Sequence, residues 1–347
     1  MVTFVVNYLN TKAIATIKMK KKLMFLALAA MGLASCSGGL KSSGGFKKGN
    51  NGLWYNIVVD MSGPGIKPGD FVSLNMTLKT DADSVISSTY ENGLSIMQIV
   101  QKPHSKGDVT NGIQMPGYLD IFNETAGIQL LSEGDSAVIK INIDSAIEGG
   151  PRPMGIPGKY AIYLVKVVKV IAKGNLSDQV LLGRAQAYEK TVYDAARKAE
   201  PTLIRNYIDK NKLKVSQTPD SLFYLITKEG SGPKPATGDT AVINYTVKYV
   251  INSKLLETNV KAEAQKAKMQ TQPRNPYKPI RLPIGFKGMI PGMGESIQLL
   301  NKGAKGTFVL PSKLAYGEQG YPGGQIPPFT PLVFDVELVD IVHPNSK

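Results

Sequence analysis

The sequence has one cysteine, two histidines and one tryptophan in 347 residues, and aromatic side chains make up only 7% of it. A lone Cys36 leaves no intramolecular disulfide framework. His104 and His343 lie far apart with no Cys or Asp pattern around them, which excludes a zinc-ligand spacing and a Cys/His dyad. Whatever chemistry the chain performs has to proceed without a thiol, a metal or a histidine triad, and no cofactor is expected. Its longest N-terminal apolar run, Leu23 to Leu33, is too short to span a bilayer.

Acidic residues are also in short supply, 27 against 41 Lys and Arg, giving a formal net charge of +14. Five of the lysines, Lys12, Lys18, Lys20, Lys21 and Lys22, precede an expected processing site, and without them the charge is about +9. No basic stripe with interleaved aromatics follows, so nucleic acid is not an expected partner. What is present is a 42% hydrophobic content with 35 Gly and 22 Pro. That composition favours short strands and tight turns, over a length suited to two domains and a connector.

The N-terminus reads as an address. Lys20-Lys21-Lys22, the apolar stretch Leu23 to Leu33 and then Ala34-Ser35-Cys36 form a positive region, a hydrophobic region and a small-residue cleavage site. Leu33-Ala34-Ser35-Cys36 resembles the bacterial lipobox, which implies removal of residues 1–35, a true start at Met19, and a lipid on Cys36 that anchors the protein to a membrane. Residues 36–45 would be the lipidated Cys and its flexible tether. The alternative is an ordinary signal peptide with a free Cys. Ser37 and the lack of an acidic run behind it resemble outer-membrane sorting, facing the periplasm.

The chain repeats itself. Residues 53–70 and 222–239 align at an offset of 169 through Tyr55/Tyr224, Ser62/Ser231, Gly63/Gly232, Pro64/Pro233, Gly69/Gly238 and Asp70/Asp239. The same offset superposes Ile128-Gln129-Leu130-Leu131 on Ile297-Gln298-Leu299-Leu300. Alternating segments at Phe71–Met76, Ala137–Ile141, Tyr160–Val170, Ala241–Val250, Gly306–Leu310 and Leu332–Val342 predict antiparallel strands, and the IQLL segments predict a short helix cradled on each sheet. The expected class is α+β, with domains at 46–171 and 219–347 and a connector at 172–218. In the connector, Leu181, Ala185, Tyr188, Val192, Ala195 and Ala199 recur at helical spacing behind Ser177-Asp178. They predict an amphipathic helix interrupted near Pro201, with a second helix over Leu203–Asn211. It reads as a spacer packed on both domains, with a dimerisation helix as the alternative.

The second copy carries Pro311-Ser312-Lys313-Leu314-Ala315-Tyr316-Gly317, then Ile326-Pro327-Pro328, then Leu332-Val333-Phe334-Asp335-Val336-Glu337-Leu338. In this order the three motifs closely resemble the FKBP-type peptidyl-prolyl cis/trans isomerases. The resemblance implies a curved antiparallel sheet wrapped over one short helix, with an apolar pocket between them. Onto that pocket it maps Tyr245, Leu256, Glu257, Ile280, Met289, Ile290, Met293, Tyr316, Tyr321, Ile326 and Phe334. Among these, Tyr245, Glu257, Ile290, Tyr316 and Phe334 would be catalytic, and Leu256, Ile280, Met289, Met293, Tyr321 and Ile326 would bind substrate. By resemblance, the Ile290 backbone N–H and the Tyr316 hydroxyl would be the donors.

Three departures stand out. The family's Phe-Asp pair is Leu256-Glu257 here, and its Trp floor is Met293. An insert, residues 260–278, holds a helix-prone run and then Pro273 and Pro276, with Pro279 directly behind it, and reads either as a rim element meeting client chains or as a solvated loop. The first copy has lost the pocket: at the repeat offset Tyr245 becomes Met76, Tyr316 becomes Ile147 and Met293 becomes Glu124, while near the last strand, where the alignment shifts, Phe334 falls on Tyr163. It is expected to keep the fold without the activity. Asp81 and Asp83, a tempting carboxylate pair, sit in a predicted turn and read as solvated.

The resemblance thus implies an isomerase assisting the folding of exported envelope proteins, with proline-containing client polypeptides as partners. A noncatalytic FKBP-like binding protein or chaperone, and a structural subunit of an envelope machine, are the competing readings.

Overall fold

The computed structural model describes residues 45–49, 53–100, 127–146, 157–267, 269, 277–286, 288–321 and 326–344. The leader, Cys36, His104, Glu124, Ile147 and residues 270–276 of the insert lie outside them. Both sheets and the connector belong to one compact unit, Lys48–Lys347.

The first sheet is built from β1 (Trp54–Val59), β2 (Phe71–Thr80), β3 (Val85–Ser88), β4 (Ile96–Ile99), β5 (Ser136–Asn142) and β6 (Tyr160–Ile171). Its antiparallel order is β1-β5-β6-β2-β3, with β4 sharing the outer edge of β2. The second uses β7 (Phe223–Lys228), β8 (Thr240–Tyr249), β9 (Leu255–Thr258), β10 (Ile280–Pro283), β11 (Lys305–Leu310) and β12 (Leu332–Val342). Its order, β7-β11-β12-β8-β9 with β10 on β8, repeats the first strand for strand. Even the irregularities coincide. The β2–β6 register shifts between Ser73 and Leu74, and the β8–β12 register between Val242 and Ile243, the same place at the offset of 169. A bulge adds twist and curvature to a sheet, so both copies bend at one point.

Strand alternation sends one face of each sheet to a core. Val72, Leu74, Ile139 and Tyr163 fill the first, and Ile243, Phe308, Leu310 and Leu338 the second. In the second copy the helix Pro291–Gln298 lies on the sheet, burying Met293 and Ile297. The first copy shows a 3-10 turn, Ile128–Leu130, at the matching segment. The expected α+β arrangement, two antiparallel sheets joined by a helical connector, is therefore what the chain adopts.

The connector differs from expectation in one respect. After the short helices α1 (Thr89–Asn92) and α2 (Ile143–Ala146), a single helix α3 runs from Asp178 to Lys210 with Pro201 inside it. The Ser177 hydroxyl caps its start by accepting the Val180 N–H. Each end is pinned. Leu181 and Ala185 pack with Phe71, whose ring meets Tyr188 edge-on at 5.9 Å. Ile204 packs with Val250, Val309 and Val333 on the outer face of the second sheet. Proline removes one helical hydrogen bond, but burial of the turn that follows holds the helix in line. Ala195 and Ala199, expected on the apolar stripe, are exposed, because the helix has no sheet beneath it there.

Candidate functional site

Two further helices complete the second copy, α4 (Lys261–Lys266) and α5 (Pro291–Gln298). Between α5 and the concave face of the sheet lies a cavity of about 460 Å³. All eleven residues nominated from the sequence line it, brought in from six places. Strand β8 contributes Tyr245, β9 contributes Leu256 and Glu257, and β12 contributes Phe334. Ile280 comes from β10, paired with Ile243 of β8. Met289, Ile290 and Met293 belong to the entry and first turn of α5, while Tyr316, Tyr321 and Ile326 come from the loop between β11 and β12.

Local sequence explains these placements. Pro291 at the first position of α5 starts the helix where its missing N–H is harmless. Gly292 lets the helix approach β11: a Cβ there would come within 2.5 Å of Leu310 Cδ2 and 2.9 Å of the Leu314 carbonyl. The Ile290 carbonyl accepts the Met293 N–H, whereas the Ile290 N–H has no acceptor among the described residues. Phe334 and Met293 are buried, as wall and floor.

Two tyrosines give the rim its polarity. The Tyr245 hydroxyl donates to the Glu257 carboxylate at 2.6 Å. Burial first, then this carboxylate, push the Tyr245 phenol far above its ordinary range. Tyr316 packs edge-on against Tyr321 with ring centroids 5.3 Å apart, and burial, followed by Glu257, raises its pKa as well. Both phenols are thus neutral donors at physiological pH. The Tyr316 hydroxyl has no acceptor among the described residues.

Sequence reasoning missed three lining residues, Val247, Leu282 and Gly288. Val247 and Leu282 lie two positions beyond Tyr245 and Ile280 on their strands, so strand periodicity alone was enough to find them. It also missed Asn259, which is buried at the start of the insert. The Asn259 Oδ1 accepts the Tyr245 N–H at 2.7 Å, and its amide donates to the Ile243 and Lys278 carbonyls, so one side chain closes the base of the insert and fixes the Tyr245 backbone. In the first copy Thr89 accepts the Met76 N–H in the same manner. There Tyr163 is fully buried in the core. Asp81 is not simply solvated: it accepts the Lys159 and Tyr160 N–H groups, stapling the turn to β6, while Asp83 pairs with Lys79.

The chain is similar to known proteins. Residues 232–339 match the family model described as FKBP-type peptidyl-prolyl cis-trans isomerase. The chain is 32% identical over 182 residues to the FKBP-type peptidyl-prolyl cis-trans isomerase FkpA of Escherichia coli K12, covering 49% of this chain and 59% of that relative. To the enzyme of the same name from Aeromonas hydrophila it is 30% identical over 203 residues, covering 56% of this chain and 69% of the relative. The match therefore spans about three fifths of the Escherichia coli protein's length. The crystal structure of FkpA from Escherichia coli aligns with a TM-score of 0.37 at 26% identity, over 48% of this chain and 74% of that one.

Proposed function

The chain belongs to the FKBP-type peptidyl-prolyl cis-trans isomerase family, and from that premise we propose that the second copy, residues 219–347, catalyses rotation about X-Pro bonds in client polypeptides. The observation that carries this reading is a cavity of about 460 Å³ walled by aliphatic and aromatic side chains, with the Ile290 N–H and the Tyr316 hydroxyl at its edge and without an acceptor among the described residues.

The barrier to rotation is about 18–20 kcal/mol because twisting destroys amide resonance. No bond to another group has to break, so acids, bases and nucleophiles are not required. A proline ring seated among Tyr245, Met293 and Phe334 is held away from water, which favours the twisted, less polarised amide over the planar one. The Ile290 N–H and the Tyr316 hydroxyl hold carbonyls of the bound segment. Glu257 acts through Tyr245, locking that ring as a wall and occupying its hydroxyl.

The first copy, with Met76 and a fully buried Tyr163 where the second has Tyr245 and Phe334, carries the fold without this site. The lipobox-like Leu33-Ala34-Ser35-Cys36 supports export and lipid anchoring at the cell envelope, in the outer membrane facing the periplasm, where the clients are exported proteins with slow X-Pro steps. The test is isomerase activity of the full chain on peptides with varied residues before Pro, beside Tyr316→Ala. Turnover that Tyr316→Ala abolishes supports the reading. A folded chain that binds such peptides without turning them over leaves a binding protein instead.

A further inference from the structure

Ser312 opens the 3-10 turn Ser312–Leu314 that delivers the chain from β11 into Tyr316. It is only 4% exposed. Its carbonyl accepts the N–H groups of Ala315 and Gly317, each at 2.8 Å, so the backbone on both sides of Tyr316 hangs from one oxygen. The Gly317 carbonyl in turn accepts the Phe329 N–H at 3.0 Å, which ties in the segment carrying Ile326. What holds Ser312 comes from outside the second sheet. Glu200, on helix α3 and 112 residues earlier, accepts the Ser312 N–H with one carboxylate oxygen and the Ser312 hydroxyl with the other, the latter at 2.9 Å. Hydrogen bonds to an ionised carboxylate are about twice as strong as neutral ones. Glu200 is itself placed by the helix turn that follows, where Ile204 is buried on Val309 and Val333.

We propose that Glu200 is a positioning residue for Tyr316, acting through Ser312, so that the catalytic unit includes the C-terminal half of the connector helix. The proposal rests on the isomerase reading above. Glu200 touches neither the pocket nor its lining; it sets the loop from which the Tyr316 hydroxyl is presented. The clamp stands in the wall of a separate cavity of about 470 Å³ between α3 and the loop, beside Arg197 and Arg205. Because the clamp lines that cavity and not the sheet core, removing it is expected to leave the fold intact.

The experiment compares the full chain with Glu200→Ala, Glu200→Gln and Ser312→Ala, each with Tyr316 and with Tyr316→Phe, by peptide isomerase kinetics and by amide hydrogen exchange over 311–320. Glu200→Ala is expected to lower kcat/KM by up to about five-fold and by no more than Tyr316→Phe itself does, a loss of at most about 1 kcal/mol, mainly in kcat. Glu200→Gln is expected to restore most of it, since the amide oxygen still accepts the Ser312 N–H and the amide nitrogen can donate to the hydroxyl. Ser312→Ala, which loses only one arm, should fall between. In the Tyr316→Phe background Glu200→Ala should cost nothing further, and the Ser312 and Gly317 amides should exchange faster in Glu200→Ala. Equal losses in both backgrounds, no rescue by Gln, or unchanged exchange would overturn the proposal. A wild-type chain without turnover sinks the isomerase reading instead, and the exchange data alone then decide whether Glu200 orders the Tyr316 loop.

Discussion

Tyr245 and Glu257 face one another across the β8–β9 pair, with the tyrosine hydroxyl donating to the carboxylate at 2.6 Å. Their strands pair antiparallel, Val247 standing opposite Glu257, so Tyr245 reaches Glu257 diagonally. A diagonal partner lies within reach of long side chains. The longer arm of Glu, where the resemblance led one to expect Asp, still reaches the phenol. The bond takes up the Tyr245 hydroxyl, whereas the Tyr316 and Tyr321 hydroxyls of the pocket have no acceptor among the described residues.

Alkaline titration tests this relationship. A phenol whose pKa is higher in the folded than in the unfolded chain keeps its proton longer when folded. Stability is then untouched below the unfolded value near 10 and falls as pH rises from there towards the folded one. Tyr245 and Tyr316 shift upward by burial first and by Glu257 second, and Tyr249 is pushed up to about 12 by burial and Glu91. Glu257→Gln should bring the Tyr245 and Tyr316 titrations down while leaving them above 10, and should leave Tyr249 unmoved. Phenolate absorbance against pH reads this directly, and a profile identical to wild type would contradict the shared electrostatics.

The two hydroxyls should differ in their effect on catalysis. Tyr316→Phe removes a donor to substrate and is expected to lower kcat/KM about two- to ten-fold, the worth of one net hydrogen bond. Tyr245→Phe removes only an internal bond to a half-exposed partner and should cost about two-fold or less. Peptide assays on both variants check the order; a larger loss from Tyr245→Phe would reverse the assignment of the donor.

Much of this was legible because it is local. The three motifs after Leu310 lie within 28 residues, so the walls they carry, Tyr316, Ile326 and Phe334, are neighbours in sequence order before they are neighbours in space. The doubled topology could be read from the offset of 169, and the paired bulges at Ser73/Leu74 and Val242/Ile243 show how closely the copies kept step. The misses are long-range or context-bound. Pro201 signals a break in any isolated helix, and only the burial of Ile204 overrides it. Glu200 and Ser312 are 112 residues apart with no pattern joining them. Asn259 looks like a turn residue until both ends of the insert are seen to meet on its amide.

Gly292→Ala should destabilise the second copy. The added methyl has to move both Leu310 and the Leu314 carbonyl, and overpacking of this kind costs about 1–3 kcal/mol. Urea unfolding should show the second copy melting earlier, with isomerase activity reduced because α5 carries Ile290 and Met293. An unchanged midpoint would mean that α5 can slide outward freely.

All turnover should reside in the second copy. Met76 offers no hydroxyl where Tyr245 does, and Tyr163 is sealed in the first core. Tyr245→Ala combined with Tyr316→Ala in the full chain is therefore expected to lower activity to the uncatalysed rate, with both sheets still folded by circular dichroism. Residual catalysis in that variant would assign a site to the first copy.

Met293 is the floor of the pocket, 6% exposed, and a thioether chain adapts to what lies above it without presenting a rigid surface. Met293→Trp restores the flat aromatic that the family resemblance leads one to expect, and the larger apolar face it offers a proline ring, at about 25 cal/mol per Å² removed from water, is expected to raise kcat/KM about two- to ten-fold. The gain depends on space: the floor lies against buried Phe334 and Ile297, so a larger ring must take its volume from the cavity and not from the core. Pairing the change with Trp54→Phe, which removes the sequence's only native tryptophan, leaves a single reporter at the floor. A rise in activity with a blue-shifted, peptide-sensitive fluorescence would show that the methionine limits the wild-type chain. A fall in both activity and thermal midpoint would show instead that the pocket is already filled to its tolerance, and that Met293 is there to fit the smaller Leu256 wall.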